Sequence, residues 1–536
     1  MKFRCVGSIL PALLVPLFLS PAIGKGDSAP TPTTTPQPNS PPNSQHVIVV
    51  VWDGMRPDLL SEQNCPTLWK LSRDGVTFGQ HHSVYPTATN INGAALATGA
   101  YPNRNTLLAN REYRPRIDLK RPFENADIEV MKKGDEVAGG KYLALPTIAE
   151  TLRAAGRSAA IVGAKSAAFL QDRHAEWVSA ASIDSVTRFA AAPMPASLRE
   201  ETIRLLGPFP NASFITSEQR NVYATRTLTE LLWRDEVPAF SFLWLSDPDL
   251  TQHQYSPGAK QSMAAIRNSD RNLATILDSL SEKNARTNTD IFVVSDHGFS
   301  TIERAIDFPE TLRAAGFDAH SEFERAPKPG QIMVAENGAT ILFYVIEHQR
   351  PVVSRLIDWL QHSDFAGVIF SREKIEGTFP LESIRANTSE APDVMVALRW
   401  NAKANQFGIP GHIIADNARK AGDGSHASLS KFDVHNVLIA EGPHFRRGFT
   451  SDLPSGNIDL APTILHLFGV EPPRSFDGRI LAESLTGDAK SSRPATETLE
   501  ATRKFDSGIW HQHLQITRVG ETIYFDEGNG AFEKQR

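Results

Sequence analysis

"HVIVVVWDG", residues 46–54, is an apolar, mostly β-branched run that stops on Asp53 and Gly54. With no polar residue alternating into it, such a run reads as a strand buried on both faces, the habit of a parallel sheet covered by helices. The form recurs. "AFSFLWLSDPD" (239–249) and "TDIFVVSDHG" (289–298) are apolar runs that also stop at an acid, and "RSAAIVGAK" (157–165) and "VHNVLIAEG" (434–442) are further strands. Between them "PTLWKLSRDG" (66–75) and "TIAETLRAAG" (147–156) have helical spacing and end in glycine. Alternating strands and helices predict an α/β fold with a mostly parallel central sheet and helices on both faces. Inserted segments are expected around 112–141, 171–235 and 330–420. "WHQHLQITRVGETIYFDEGNG" (510–530) reads as a terminal β-hairpin about a glycine turn.

The chain begins "MKFRCVGSILPALLVPLFLSPAIG", with Lys2 and Arg4 ahead of a short apolar run and small residues up to Gly24. This is the layout of a secretory signal peptide, expected over 1–24. Residues 25–45, rich in Pro, Thr and Ser, read as an extended linker. Removing the signal leaves Cys65 as the single cysteine, so an exported, periplasmic or secreted chain would have no internal disulfide. A formal net charge of −6 argues against nucleic-acid binding through a basic surface. After the signal no segment is long and apolar enough for a stable membrane span.

Ligands of open parallel sheets gather at the carboxyl ends of the strands. Three strands deliver Asp53, Asp249 and Asp296 there. His253 lies four residues after Asp249, one helical turn away, and His297 adjoins Asp296. His426 sits in "AGDGSHASLS", where Gly422 and Gly424 permit a tight loop. Three Asp and three His suit two zinc ions, with manganese or iron as substitutes. Two such ions clamp the oxygens of a phosphoryl transfer. "SVYPTATNINGAALATG" (83–99) supplies hydroxyls at Ser83, Thr87 and Thr89 where a helix is about to begin. A hydroxyl there would meet free N–H groups and the positive end of the helix dipole, a setting for an anionic substrate. Chemistry alone does not choose among the three. His81 and His82 in "GQHHSVYP" read as structural histidines, and Lys165 as a group that could reach a second anionic group of the substrate.

"VIVVVWDGMRPDLL", "YPTATNINGAALATGAYP", "DPDLTQH", "VVSDHGFS" and "GSHASLS" occur in the order and approximate spacing of the alkaline phosphatase superfamily. Within it the chain resembles the type I phosphodiesterase/nucleotide pyrophosphatase branch over roughly residues 46–485. The resemblance implies an alkaline phosphatase-like catalytic domain over 46–490, followed by an extension over 491–536. It implies Thr89 as nucleophile, forming a covalent phospho-threonine, with Asn110 in "LLANREY" donating to a phosphate oxygen. It also implies one zinc on Asp249, His253 and His426, and a second on Asp53, Asp296, His297 and Thr89. Two departures stand out: Asn90-Ile91-Asn92-Gly93 replaces the usual Phe-Pro-Asn-His, and Ala427-Ser428 replaces Gly-Tyr.

The nucleophile region lacks the Cys/Ser-x-Pro-x-Arg segment of sulfatases and the arginine that follows the serine of alkaline phosphatases. The implied substrate is therefore a small phosphodiester or nucleotide. Two other readings stay open: a phosphonate hydrolase resembling phosphonoacetate hydrolase, in which Lys165 would hold the substrate carboxylate, and a non-catalytic exported binding protein of the same fold.

Overall fold

The strand His46–Trp52 lies near the centre of an eight-stranded sheet, and its side chains explain why. Val47, Val49 and Val51 enter one hydrophobic cluster while Ile48, Val50 and Trp52 enter another on the opposite face, each at most 1% exposed. A strand with two buried faces needs a helical layer on each. The helices Thr89–Thr98, Ile148–Ala154 and Leu460–Leu467 cover the first face; Pro66–Asp74, Ser217–Arg226 and Lys260–Glu282 cover the second.

The computed structural model describes residues 45–173, 180–182, 196–207, 216–472, 476–487 and 493–535. The expected signal peptide and nearly all of the linker lie outside these residues, as does part of the 171–235 insert. Across the sheet the strands run Phe449–Ser451, Val76–Phe78, Leu438–Glu441, Thr289–Val294, His46–Trp52, Phe240–Leu245, Ala159–Gly163 and Ala180–Ser182. All pairings are parallel except those of Leu438–Glu441, which is antiparallel to both neighbours. The sheet is thus mostly parallel, and the "VHNVLIAEG" run contributes a shorter, reversed strand. No helix of the described residues is long and apolar enough to cross a membrane.

The 330–420 insert carries most of a second, six-stranded sheet together with the helix Arg350–Gln361. Val353, Leu356, Ile357 and Leu360 of that helix pack on one face of it. The other face shares a cluster with Tyr85, Ile91 and Ala95 of the segment 83–99. The chain end is larger than a hairpin: Ala495–Phe505, Gly508–Val519 and Thr522–Lys534 form a three-stranded antiparallel sheet. This sheet is packed into the body of the protein. Leu514, Ile516 and Phe525 join the cluster beneath the helix Thr89–Thr98. Trp510 is fully buried, and its indole N–H donates to Gly377 O at 2.9 Å.

Trp510→Ala should therefore cost about 3–5 kcal/mol, as for other buried large-to-small changes. Urea unfolding measures this; a cost below about 1 kcal/mol would show that the terminal sheet is dispensable to the core.

Candidate active site

Register brings the acids together. Trp52 pairs with Leu245 and Val51 with Val294, so three strands end at one level. Gly54 then turns the chain with φ +71°, and a Cβ there would lie 3.0 Å from Asp249 Cβ. Glycine is needed on both counts. Asp249 N–H donates to Asp53 O at 3.0 Å, locking the first loop to the helix Asp249–Tyr255 that also carries His253.

Each carboxylate uses one oxygen on a protein donor and leaves the other bare. Asp53 Oδ2 accepts from Trp244 Nε1 at 2.7 Å and lies 2.9 Å from Lys165 Nζ. Asp249 Oδ2 accepts from Lys165 Nζ at 2.5 Å. Asp296 Oδ1 accepts from the backbone N–H groups of Gly54 and His297, both at 3.1 Å. Asp53 Oδ1, Asp249 Oδ1 and Asp296 Oδ2 are buried with no hydrogen-bond donor.

The three histidines are wired in the complementary way. Nδ1 of His253, His426 and His297 contacts the carbonyl oxygens of Gly424, Thr87 and Gly298 at 3.0, 2.8 and 2.8 Å. A carbonyl only accepts, so each Nδ1 carries a proton and each ring turns its Nε2 inward. Those nitrogens meet the bare oxygens. His253 and His426 Nε2 lie 3.3 and 3.4 Å from Asp249 Oδ1. His297 Nε2 lies 3.3 Å from Asp296 Oδ2 and 3.6 Å from Asp53 Oδ1. Imidazole nitrogens and carboxylate oxygens thus converge, which is the donor set of a divalent cation with its outer hydrogen bonds already made. Asp249, His297 and His426, and Asp53, Asp296 and His297, each converge closely enough to hold an ion.

The electrostatics agree with that reading. Burial, with Asp296 beside it, pushes Asp53 above the usual carboxylate range. Burial also opposes the charge on Asp249, but Lys165 and His253 outweigh it and hold that carboxyl low. Burial, with His297 stacked at 3.7 Å, pushes His426 down, so its ring is in the neutral form that a metal requires. Lys165 stays charged because Asp249 and Asp53 overcome its burial. Lys165 therefore bridges two acids of the cluster.

Of the three hydroxyls, only Thr89 faces the cluster. Ser83 Oγ donates to Val434 O at 3.0 Å and Thr87 Oγ1 to Ser428 O at 2.9 Å. Thr89 is the first residue of the helix Thr89–Thr98, and its Oγ1 lies 3.2 Å from His297 Nε2. Asn110 Oδ1 accepts from Asn90 N–H at 2.7 Å, which fixes the Asn110 amide beside the helix entrance. The residues that replace the family's Phe-Pro-Asn-His have their own partners. Asn90 Nδ2 donates to Glu124 Oε1 at 2.7 Å, and Asn92 Oδ1 accepts from Val84 N–H at 2.6 Å. A Cβ on Gly93 would come within 3.3 Å of the Trp244 ring. Ala427 has φ +76°, the left-handed region where the family's glycine is unstrained.

Trp244 is the functional residue that sequence reasoning missed. Inside an apolar strand nothing marks its N–H as the group that orients Asp53. Trp244→Phe should keep the fold and weaken divalent-metal affinity about 10- to 100-fold, as loss of outer hydrogen bonds to ligands does elsewhere. Competition with a chromogenic chelator reads this directly; unchanged affinity would remove Trp244 from the site.

The sequence profile of the type I phosphodiesterase / nucleotide pyrophosphatase family matches residues 47–407, more than half of the chain. Venom phosphodiesterase CdcPDE of Crotalus durissus collilineatus is 22% identical over 255 residues, 47% of this chain and 24% of that protein. The match thus spans about a quarter of the venom enzyme's length. Bis(5'-adenosyl)-triphosphatase enpp4 of Xenopus laevis is 20% identical over 468 residues, covering 84% of this chain and 81% of that one. The solved human ectonucleotide pyrophosphatase / phosphodiesterase 5 shares the fold, with a TM-score of 0.58 at 17% identity over 83% of this chain and 100% of that one. Family profile, fold and ordered site motifs agree: the chain belongs to the type I phosphodiesterase / nucleotide pyrophosphatase family, within the alkaline phosphatase superfamily.

Proposed function

We propose that the chain is an exported two-zinc hydrolase that cleaves phosphodiester or pyrophosphate bonds through Thr89. One observation carries the reading: a helix-terminal hydroxyl 3.2 Å from His297 Nε2, beside three buried carboxylate oxygens that have no donor. Asp249, His253 and His426 would hold one ion, and Asp53, Asp296, His297 and the Thr89 oxygen the other. Manganese or iron could substitute, since the donors are nitrogen and oxygen without thiolate. When bound, the ions supply Lewis acidity and make a hydroxyl nucleophilic at neutral pH.

The chain's own groups do the rest. Thr89 gives up its hydroxyl proton and Oγ1 forms a bond to phosphorus as the bond to the leaving oxygen breaks. Water then attacks the phospho-threonine, and the Thr89 oxygen leaves and regains a proton. The amide N–H of Asn110 and the positive end of the Thr89–Thr98 helix stabilise the charge on the non-bridging oxygens. Such a donor is worth about 3 kcal/mol in a preorganised site. Trp244 and Lys165 hold the acids in place.

A nucleotide is the first substrate to try, since murine ectonucleotide pyrophosphatase / phosphodiesterase 5, a structural neighbour, was solved in complex with AMP. Lys165 is already engaged by Asp53 and Asp249, so it gives no support to the phosphonate reading, which needs it for a substrate carboxylate. Export rests on the amino-terminal segment, and antibody detection of tagged protein in cell and medium fractions would test it.

The zinc-loaded protein should hydrolyse a chromogenic phosphodiester faster than the matching monoester. Thr89→Ala should lose about a thousandfold or more in kcat with its metal content unchanged. A fully active Thr89→Ala variant would overturn the nucleophile, and a monoester preference would overturn the substrate class.

A further inference from the structure

His82 lies in the short strand that leads into the nucleophile segment, and it is buried. Its Nδ1 contacts Ser455 O at 2.9 Å. As the carbonyl only accepts, Nδ1 carries a proton, and Nε2 meets Asp526 Oδ1 at 3.0 Å. Asp526 is held by its other oxygen, Oδ2, which accepts from Thr517 Oγ1 at 2.8 Å. The His435 ring lies 4.5 Å from the His82 ring, and ligand atoms of His82, His435 and Asp526 all fall within 4.8 Å of one another. Burial pushes His435 down to about 3.

This repeats the wiring of the catalytic cluster: Nδ1 on a main-chain carbonyl, Nε2 on a carboxylate oxygen, the second carboxylate oxygen on a protein donor. The neighbouring histidine is the contrast. His81 Nδ1 and Nε2 meet Ser455 Oγ and Asn457 Oδ1 at 2.9 and 3.0 Å, and a hydroxyl can donate as well as accept. His81 is satisfied by neighbouring side chains alone, whereas His82 Nε2 meets a carboxylate whose ligand atoms also converge with those of His435.

We propose that His82, His435 and Asp526 form a further divalent-cation site of the zinc class, separate from the catalytic cluster. Two imidazoles and a carboxylate match zinc, and three protein ligands leave the fourth position to water. Asp526 side-chain exposure of 13% leaves a path for loading. The site joins three pieces of chain: the strand before Thr89, the turn before Leu438–Glu441, and the terminal strand Thr522–Lys534. Occupation would clamp the terminal sheet to the catalytic half.

Asp526→Asn is the informative variant, because an amide can donate to His82 Nε2 while still accepting from Thr517, which preserves the fold without a cation. Protein stripped with chelator, reloaded with Zn2+ and dialysed should contain one zinc per chain fewer in Asp526→Asn than in wild type, by plasma mass spectrometry, while diester turnover persists. Equal zinc content would overturn the site and leave an imidazolium–aspartate pair. If Asp526→Asn fails to fold, His435→Gln, at a partly exposed position, must show the same deficit of one. The difference is independent of the catalytic ions: should the two-zinc reading fail, the wild-type total falls but this decrement stays.

Discussion

Three carboxylates within a few ångströms of one another, each with a buried oxygen that no protein group donates to, set the terms for this structure. Burying anionic oxygen without a partner costs several kcal/mol, and like charges side by side add to it. Lys165 compensates two of the acids through Asp53 Oδ2 and Asp249 Oδ2, yet the three inward oxygens remain. Imidazole Nε2 atoms lie 3.3–3.6 Å from them. A cluster of this kind makes physical sense as a cation-binding centre, and the surrounding fold keeps it rigid enough to serve as one.

The rigidity comes from register. Parallel pairing of three central strands carries the acids to one edge, and the Gly54 turn brings Asp53 against Asp249. The second sheet and the terminal sheet then close on the far side of the Thr89–Thr98 helix through the cluster containing Tyr85, Ile91 and Leu514. The Thr89–Thr98 helix is thus buried between two layers, and its first residue has little freedom relative to the acids. Thr87 and Ser83, two and six residues before Thr89 in the same loop, use their hydroxyls to fix that loop to main-chain carbonyls.

Much of this was legible in the sequence because the signals were local. An apolar run ending in an acid specifies both a buried strand and what lies at its carboxyl end, so the parallel sheet and the positions of Asp53, Asp249 and Asp296 could be read directly. The i,i+4 spacing of Asp249 and His253 likewise needs only one helical turn. What escaped depends on contacts far apart in the chain. The Trp244 N–H on Asp53 spans 191 residues and looks like any apolar strand residue beforehand. Lys165 follows a strand as a ligand-reaching group would, but neighbouring acids from other strands claim it. The terminal sheet reads as an appended hairpin because alternation in a strand shows one buried face without naming what covers it. His82 reads as structural from its position, and only the partner on each ring nitrogen separates it from His81.

Anomalous diffraction at the zinc edge, from crystals of the zinc-loaded protein, tests the central claim most directly. The account predicts two peaks at the strand ends: one at coordination distance, about 2.0–2.2 Å, from Asp249, His253 and His426, the other at that distance from Asp53, Asp296 and His297. A fully loaded crystal with no peak among these residues would contradict it, and the buried acceptors would then need protons instead.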